Sequence, residues 1–410
     1  MMAVEGPFLA AIIARLVDPT FNLAAHGVAY AFALLVEAPV IMIMSASTAL
    51  VDDAHSFRRL RTFTYTLNAA VTAAMLLLLV PPVYRVLMLD LIALPADVAD
   101  LTYVALWLLV PWPGAIGYRR FYQGLLIRGG RTRLVAYGTV LRLTTMATTA
   151  LVLYFTVAPP GAWVGAAALA VGVSVEAVAS RIMARGTVRH LLATDTDDGR
   201  ALSYVRIARF YYPLALTSLI GLAVQPMATF FMGRAPAPLE SLAVFPVVVA
   251  LSFIFRAVGL SYQEVAIALM GKRYEHVREL WRFALALGIA ATVGLALVAL
   301  TPISRFWYET ASGLAPELAR FAILPTIIII PIPLLSVILS FQRAILVVGH
   351  ATRPVTWATA IEVGGIAVLF PLLGWRFGVV GVTAATIAFI AGRLAGNLYL
   401  MKPCMREMRG

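Results

Sequence analysis

The sequence predicts an all-α polytopic membrane protein. It should have twelve transmembrane helices, the first one truncated, in two six-helix lobes related by a parallel pseudo-twofold repeat. Three observations predict this. Of 410 residues, 61% are hydrophobic and 13% charged, with a mean hydropathy of +0.90; a soluble domain is about half apolar and a quarter charged. The apolar residues fall in runs of about 20, the length that crosses a hydrocarbon core. The second half of the chain restates the first.

The runs lie near residues 3–17, 23–51, 61–89, 100–127, 134–157, 162–183, 205–232, 239–269, 280–301, 317–347, 354–374 and 379–401. Several carry proline inside: Pro39, Pro111, Pro113, Pro213, Pro226, Pro246, Pro325, Pro331 and Pro333. Proline frees backbone carbonyls, which is tolerated in a membrane where other helices or a water-filled cavity satisfy them. The loops after even-numbered spans, with the C-terminal tail, hold 20 of the 32 Lys and Arg, in stretches such as "FRRLR" and "RGGRTR"; the opposite loops hold six. The positive-inside rule then puts both termini in the cytoplasm, and the expected location is a bacterial inner membrane. The net charge of +12 sits between apolar spans rather than on one patch, which excludes nucleic acid as a partner. The single cysteine, Cys404, leaves no disulfide framework. No basic region precedes the first apolar run, so no cleavable signal peptide is expected.

The repeat is most legible in two stretches. "VPWPGAIGYRRFYQGLLIRGGRTR" begins at Val110 and "IPIPLLSVILSFQRAILVVGHATR" at Ile330, 220 positions later. Without a gap, Pro111, Pro113, Phe121, Gly129 and Arg133 fall on Pro331, Pro333, Phe341, Gly349 and Arg353. Upstream the offset becomes 219, with Pro7, Arg15 and Pro19 on Pro226, Arg234 and Pro238. Residues 1–183 are therefore expected to form one lobe, 184–204 a cytoplasmic linker with a short amphipathic helix, and 205–410 the other lobe. An even number of spans per lobe gives both the same orientation, a known transporter plan. Met1 falls opposite Ile220, already inside a helix of the second copy, so the first span is expected to lack its cytoplasmic half.

Charges inside spans are costly and normally face a bundle interior with a partner. Glu37 in span 2 aligns with Arg256 in span 8, and Arg142 in span 5 with Glu362 in span 11. The polarity is reversed between halves. Each lobe is therefore expected to hold one ion pair, Glu37 with Arg142 and Arg256 with Glu362; the alternative is a Glu37–Arg256 pair across the lobes acting as a gate. Arg119, Arg120 and Gln123 in span 4 form a second group with Arg343 in span 10, the equivalent of Gln123. Arginine grips carboxylate and phosphate bidentately, so this group is expected to attract an anion; snorkelling toward the cytoplasmic boundary is the competing reading. Glu176, Glu264 and Arg393 are weaker candidates for the same pathway.

No Walker sequence, HExxH or GxSxG is present, and the five histidines are scattered in loops and at span ends. The expectation is a protein that is not an enzyme, with no cofactor and no metal site.

Two parallel six-helix halves, with "NLAAHGVAYAFALLVEAPVIMI" in span 2 and "RFYYPLALTSLIGLAVQP" opening the second half, resemble the multidrug and toxic compound extrusion (MATE) family. More broadly they resemble the superfamily of multidrug, oligosaccharidyl-lipid and polysaccharide exporters. "FYYPLAL", the paired "PWP" and "PIP", and "LAAHGVAYAF" are most similar to the branch containing the progressive ankylosis protein. The resemblance covers almost the whole chain. It implies alternating access, with a cleft between lobes opening to either face; the chain is expected to be a monomeric antiporter. It implies multidrug-type efflux of a small organic solute driven by a proton or sodium gradient; for the ankylosis branch the solute is an organic anion. The sequence departs from the family at the start of span 1, where many members carry a cation-binding acid. A lipid-linked oligosaccharide flippase and a non-transporting membrane scaffold are the alternatives.

Overall fold

A computed structural model describes residues 5–193, 202–270, 274–349, 351 and 353–408, and within them every side chain except Leu260, Ser261, Glu264 and Ala268. Every regular element among the described residues is helical. In the first half these are α1 (Glu5–Ile13), α2 (Pro19–Glu37), α3 (Ile43–Leu50), α4 (Ala54–Leu78), α5 (Pro81–Arg85), α6 (Ala96–Leu108), α7 (Pro111–Arg128), α8 (Thr132–Thr156), α9 (Gly161–Met183) and α10 (Arg185–Ala193). Then come α11 (Tyr204–Leu222), α12 (Val224–Gly233), α13 (Pro238–Leu269), α14 (Val277–Leu300), α15 (Ile303–Arg305), α16 (Pro316–Ile328), α17 (Ile332–Val348), α18 (Arg353–Pro371) and α19 (Gly381–Glu407).

Among the described residues nine helical stretches are long and apolar enough to cross a membrane, and up to eleven if two bent pairs each count as one span. The sequence leads one to expect twelve. Of the run at 3–17 the described residues form α1, nine residues long, and nine residues do not span at 1.5 Å per residue. Both bends sit at proline. Ala54–Leu78 meets Pro81–Leu91 at 72°, and α16 meets α17 at 41° beside Pro331 and Pro333. Proline removes one backbone N–H and clashes with the preceding turn.

The chain divides into two compact units, one of Leu16–Pro226 with Met1–Met2 and the other of Ala3–Arg15 with Met227–Gly410. These boundaries differ from the lobes read in the sequence at two places. Helix α11 packs within the first unit: the Tyr211 hydroxyl donates to the Pro39 carbonyl, Phe63 meets the Tyr211 ring edge-on, and Arg59 lies over Tyr204. Helix α1 packs within the second: a Cβ on Gly6 would lie 3.2 Å from the Ala250 Cβ, and Arg15 donates to the carbonyls of Thr310 and Ala311. Such lateral packing leaves no trace in a sequence offset. In the expected linker, α10 is a short helix that buries Val188 and Leu191; residues 194–201 lie outside the described residues.

Within each unit the backbone makes its sharp turns at matching places. Left-handed residues occur at Asp18, Ala93 and Ala158, and again at Ala237, Gly313 and Gly378, each pair 219 or 220 positions apart. A π-helical turn spans Val86–Leu91, another Phe306–Ala311. The buried first turn of α9 has its Ala162 N–H capped by Asn22 Oδ1 (2.9 Å), and that of α19 has its Val382 N–H capped by Ser241 Oγ (3.2 Å). A helix start in an apolar interior has orphan donors that need such partners.

Candidate functional site

In the first unit the site is built on stripes of every fourth residue. Helix α8 buries only Gly138, Arg142, Met146 and Ala150, so its one charged interior residue is aimed inward. Helix α9 buries Ala168, Gly172, Glu176 and Ser180 along the facing stripe. The helices close up at Gly172, where a Cβ would lie 3.1 Å from the Arg142 carbonyl oxygen. Glu176 is 0% exposed. Its carboxylate accepts from Arg119 Nη1 at 2.5 Å and Gln123 Nε2 at 3.0 Å, and Arg142 Nε lies 3.4 Å away. Arg119 and Gln123 are one turn apart on α7 and reach the same acid.

Glu37, at the buried end of α2, accepts a hydrogen bond from Trp112 Nε1. Arg120, half-buried, points instead to Met44 Sδ at 3.8 Å. The structure thus corrects the expected pairing. Glu176, a secondary candidate in the sequence, is the hub of the first unit, and Arg142 lies beside it. A buried carboxylate needs donors and positive charge at once; α7 brings two donors, Arg119 and Gln123, and α8 adds the charge of Arg142.

In the second unit the corresponding stripe of α18 runs Ala358, Glu362, Ile366, Phe370. Glu362 pairs with Arg393 on α19 (Nε 2.8 Å and Nη2 2.7 Å to Oε1) rather than with Arg256. Here too glycine sets the spacing, since a Cβ on Gly392 would lie 2.7 Å from the Glu362 carbonyl oxygen. Arg393 Nη1 also donates to Ser336 Oγ at 3.0 Å. Arg343 Nη2 reaches Thr359 Oγ1 at 3.3 Å, while its Nε is buried without a partner. Arg256 lies over the Phe253 ring, 5.2 Å from its centroid. Arg256, Ser336, Leu339, Ser340, Arg343 and Arg393 line a cavity of about 90 Å³. The Glu264 side chain lies outside the described residues.

Sequence reasoning missed Trp112, Ser336, Ser340 and Thr359. Neutral polar and aromatic residues are ordinary in membrane helices, so nothing marks these four before the helices are rotated into place. No group of three or more His, Cys, Asp or Glu that could hold a metal occurs among the described residues.

No family model and no curated protein matches the sequence. Solved structures do match, over essentially the whole chain. An inward-facing multidrug resistance MATE family transporter of the MOP superfamily superposes with a TM-score of 0.69 at 14% identity, covering 100% of this chain and 94% of its own. The lipid II flippase MurJ in an inward closed conformation gives 0.77 at 14% identity, covering 99% and 87%. A point mutant of the Vibrio cholerae MATE transporter VcmN gives 0.66 at 14% identity, covering 100% and 97%. The fold is therefore the one shared by MATE transporters and the MurJ flippase. With its many apolar helices, the chain is an integral membrane protein.

Proposed function

We propose that the chain is a MATE-like secondary transporter that exports a small organic solute by alternating access, in exchange for protons or sodium. The observation that carries this reading is a hydrogen-bonded ionic cluster inside each unit, buried in the first and half-buried in the second, in a fold shared with MATE transporters and the MurJ flippase. A scaffold needs only apolar helix packing, whereas charges held at such cost mark a solute or ion pathway. The matching left-handed turns and helix caps of the two units support the reading of two homologous lobes in parallel. The excess of arginine over carboxylate in the second unit favours an organic anion, the solute type of the ankylosis branch.

The second reading is a flippase for a lipid-linked substrate. It is favoured by the TM-score of 0.77 with MurJ.

The deciding experiment measures uptake into inside-out vesicles or proteoliposomes of a panel of organic anions, lipophilic cations and a lipid-linked sugar, under imposed proton or sodium gradients. Gradient-dependent uptake of an anion supports the proposal. Movement of the lipid-linked sugar alone transfers the assignment to the second reading, and no movement of any probe ends both.

A further inference from the structure

The two units put different chemistry at aligned positions. In the first, Arg119 and Glu176 fill the interior with a salt bridge. At 220 residues further on stand Leu339 and Gly396. Removing both the guanidinium and the carboxylate leaves room, and the cavity of about 90 Å³ lies beside Leu339. It has space for on the order of three waters, or a small ligand group of the same size.

Its wall is charged. Arg256, Arg343 and Arg393 face it, and the carboxylate bonded to this group is Glu362, held by Arg393. Neither Arg256 nor Arg343 has a carboxylate within ion-pair distance among the described residues. Arginine does not shed its proton in proteins, so two positive charges stand inside an apolar unit with no counter-ion among those residues. That is costly unless an anion or water completes the site. The hydroxyls of Ser336 and Ser340, one turn apart on α17, add two further donors on the same wall. The guanidinium groups of Arg256 and Arg343, the remaining N–H groups of Arg393 and two hydroxyls line one small space, a donor set that suits the oxygens of one carboxylate or phosphoryl group.

We propose that the second unit alone contains an oxyanion-binding site, formed by Arg256, Arg343 and Arg393 with Ser336 and Ser340, which takes one carboxylate or phosphoryl group of the solute. This rests on the transporter reading for its purpose, though not for its binding. Glu362 is the internal competitor: it holds Arg393, and an arriving oxyanion takes over part of that guanidinium.

The test is binding to the purified full-length chain in detergent or nanodiscs, with inorganic phosphate and acetate as probes and a lipophilic cation as control. Titration calorimetry should show saturable binding of phosphate, acetate or both, and none of the cation. Arg343→Gln and Arg256→Gln should each weaken it at least about tenfold, the scale of one charged hydrogen bond. Arg343→Lys should fall between, keeping the charge without the fork. Arg376→Gln, an exposed arginine of the same unit, should bind as the parent does. Glu362→Gln should bind more tightly, a gain that a purely structural Glu362 would not give. Variants are compared only if their unfolding temperatures show a folded protein, and the parent titration stands regardless of them. Absence of saturable oxyanion binding by the folded parent overturns the site, as does equal affinity in Arg343→Gln and Arg256→Gln. Transport of a solute without oxyanion binding would sink this inference alone. Oxyanion binding without transport of any solute would sink the transporter reading alone.

Discussion

The α-hydrogen face of Gly392 lies against the carbonyl oxygen of Glu362, so close that an added Cβ would stand 2.7 Å from it. That approach brings α19 against α18 and sets Arg393, the next residue along, within reach of the Glu362 carboxylate at 2.7 Å. In the first unit Gly172 stands in the same relation to the Arg142 carbonyl, at 3.1 Å. Small residues at crossing points are the usual means of close helix approach in membranes.

Gly392→Ala should therefore push α18 and α19 apart. Overpacking against backbone typically costs about 1–3 kcal/mol. Gly364→Ala is the internal comparison, because nothing lies within 4 Å of its added Cβ. The expected result is a lower unfolding temperature for Gly392→Ala and no such drop for Gly364→Ala. Equal behaviour of the two would show that the close approach does not hold the unit together.

Charge swaps separate the ionic partners present in the structure from those expected in the sequence. Arg393→Glu alone places two acids together and should unfold the second unit or abolish transport. Glu362→Arg with Arg393→Glu should recover part of the loss. Glu37→Arg with Arg142→Glu should recover nothing, because it sets a new carboxylate near Glu176, 3.4 Å from the present Arg142 Nε. Recovery by the second swap and not the first would reverse the assignment.

Glu176 should be the most sensitive carboxylate of the first unit. Its removal strands the guanidinium of Arg119 in an apolar interior, a loss of about 3–5 kcal/mol in soluble proteins and less in membranes. Glu176→Gln keeps an acceptor for Gln123 and should be milder than Glu176→Ala. Thermal unfolding of the purified variants reads the order Glu176→Ala below Glu176→Gln below the parent. The opposite order of the two variants would mean that charge, not hydrogen bonding, governs the cluster.

A pH effect is expected outside the membrane, where Asp53 caps α4. Its carboxylate accepts from the Ser56 N–H at 2.7 Å, while Ser56 Oγ accepts from the Asp53 N–H at 3.0 Å. Bonding from the Ser56 backbone holds the Asp53 pKa below its ordinary value. The cap is thus fully effective above the unfolded aspartate pKa, about 3.9, and fades as pH falls through the lower folded value. Asp53→Ala should cost about 0.5–2 kcal/mol of local stability at neutral pH. The protection factor of the Ser56 amide, its exchange rate relative to the intrinsic rate at the same pH, should be high in the parent above that range and should fall toward low pH. If Asp53→Ala shows the same acid-induced change, the protons are being taken up elsewhere.

The sequence by itself determined the helical, membrane-spanning class, because hydropathy over about 20 residues is a local property of the chain. It also located the bend at Pro331 and Pro333, since proline acts on its own backbone; the sharper one at Pro81 and Pro82, inside the run read as 61–89, emerged only in the structure. It marked Arg142, Glu362 and Arg256 as inward residues, for an ionised group has few tolerable neighbours in lipid. Which charge meets which was decided only by the tertiary structure. Glu176 found Arg119 and Gln123, and Glu362 found Arg393, because the rotation and spacing of neighbouring helices are set where Gly172 and Gly392 let backbones touch. The first unit came out filled by a salt bridge and the second open beside Leu339. Side-chain reach across a helix interface depends on that packing, and no spacing along one helix encodes it.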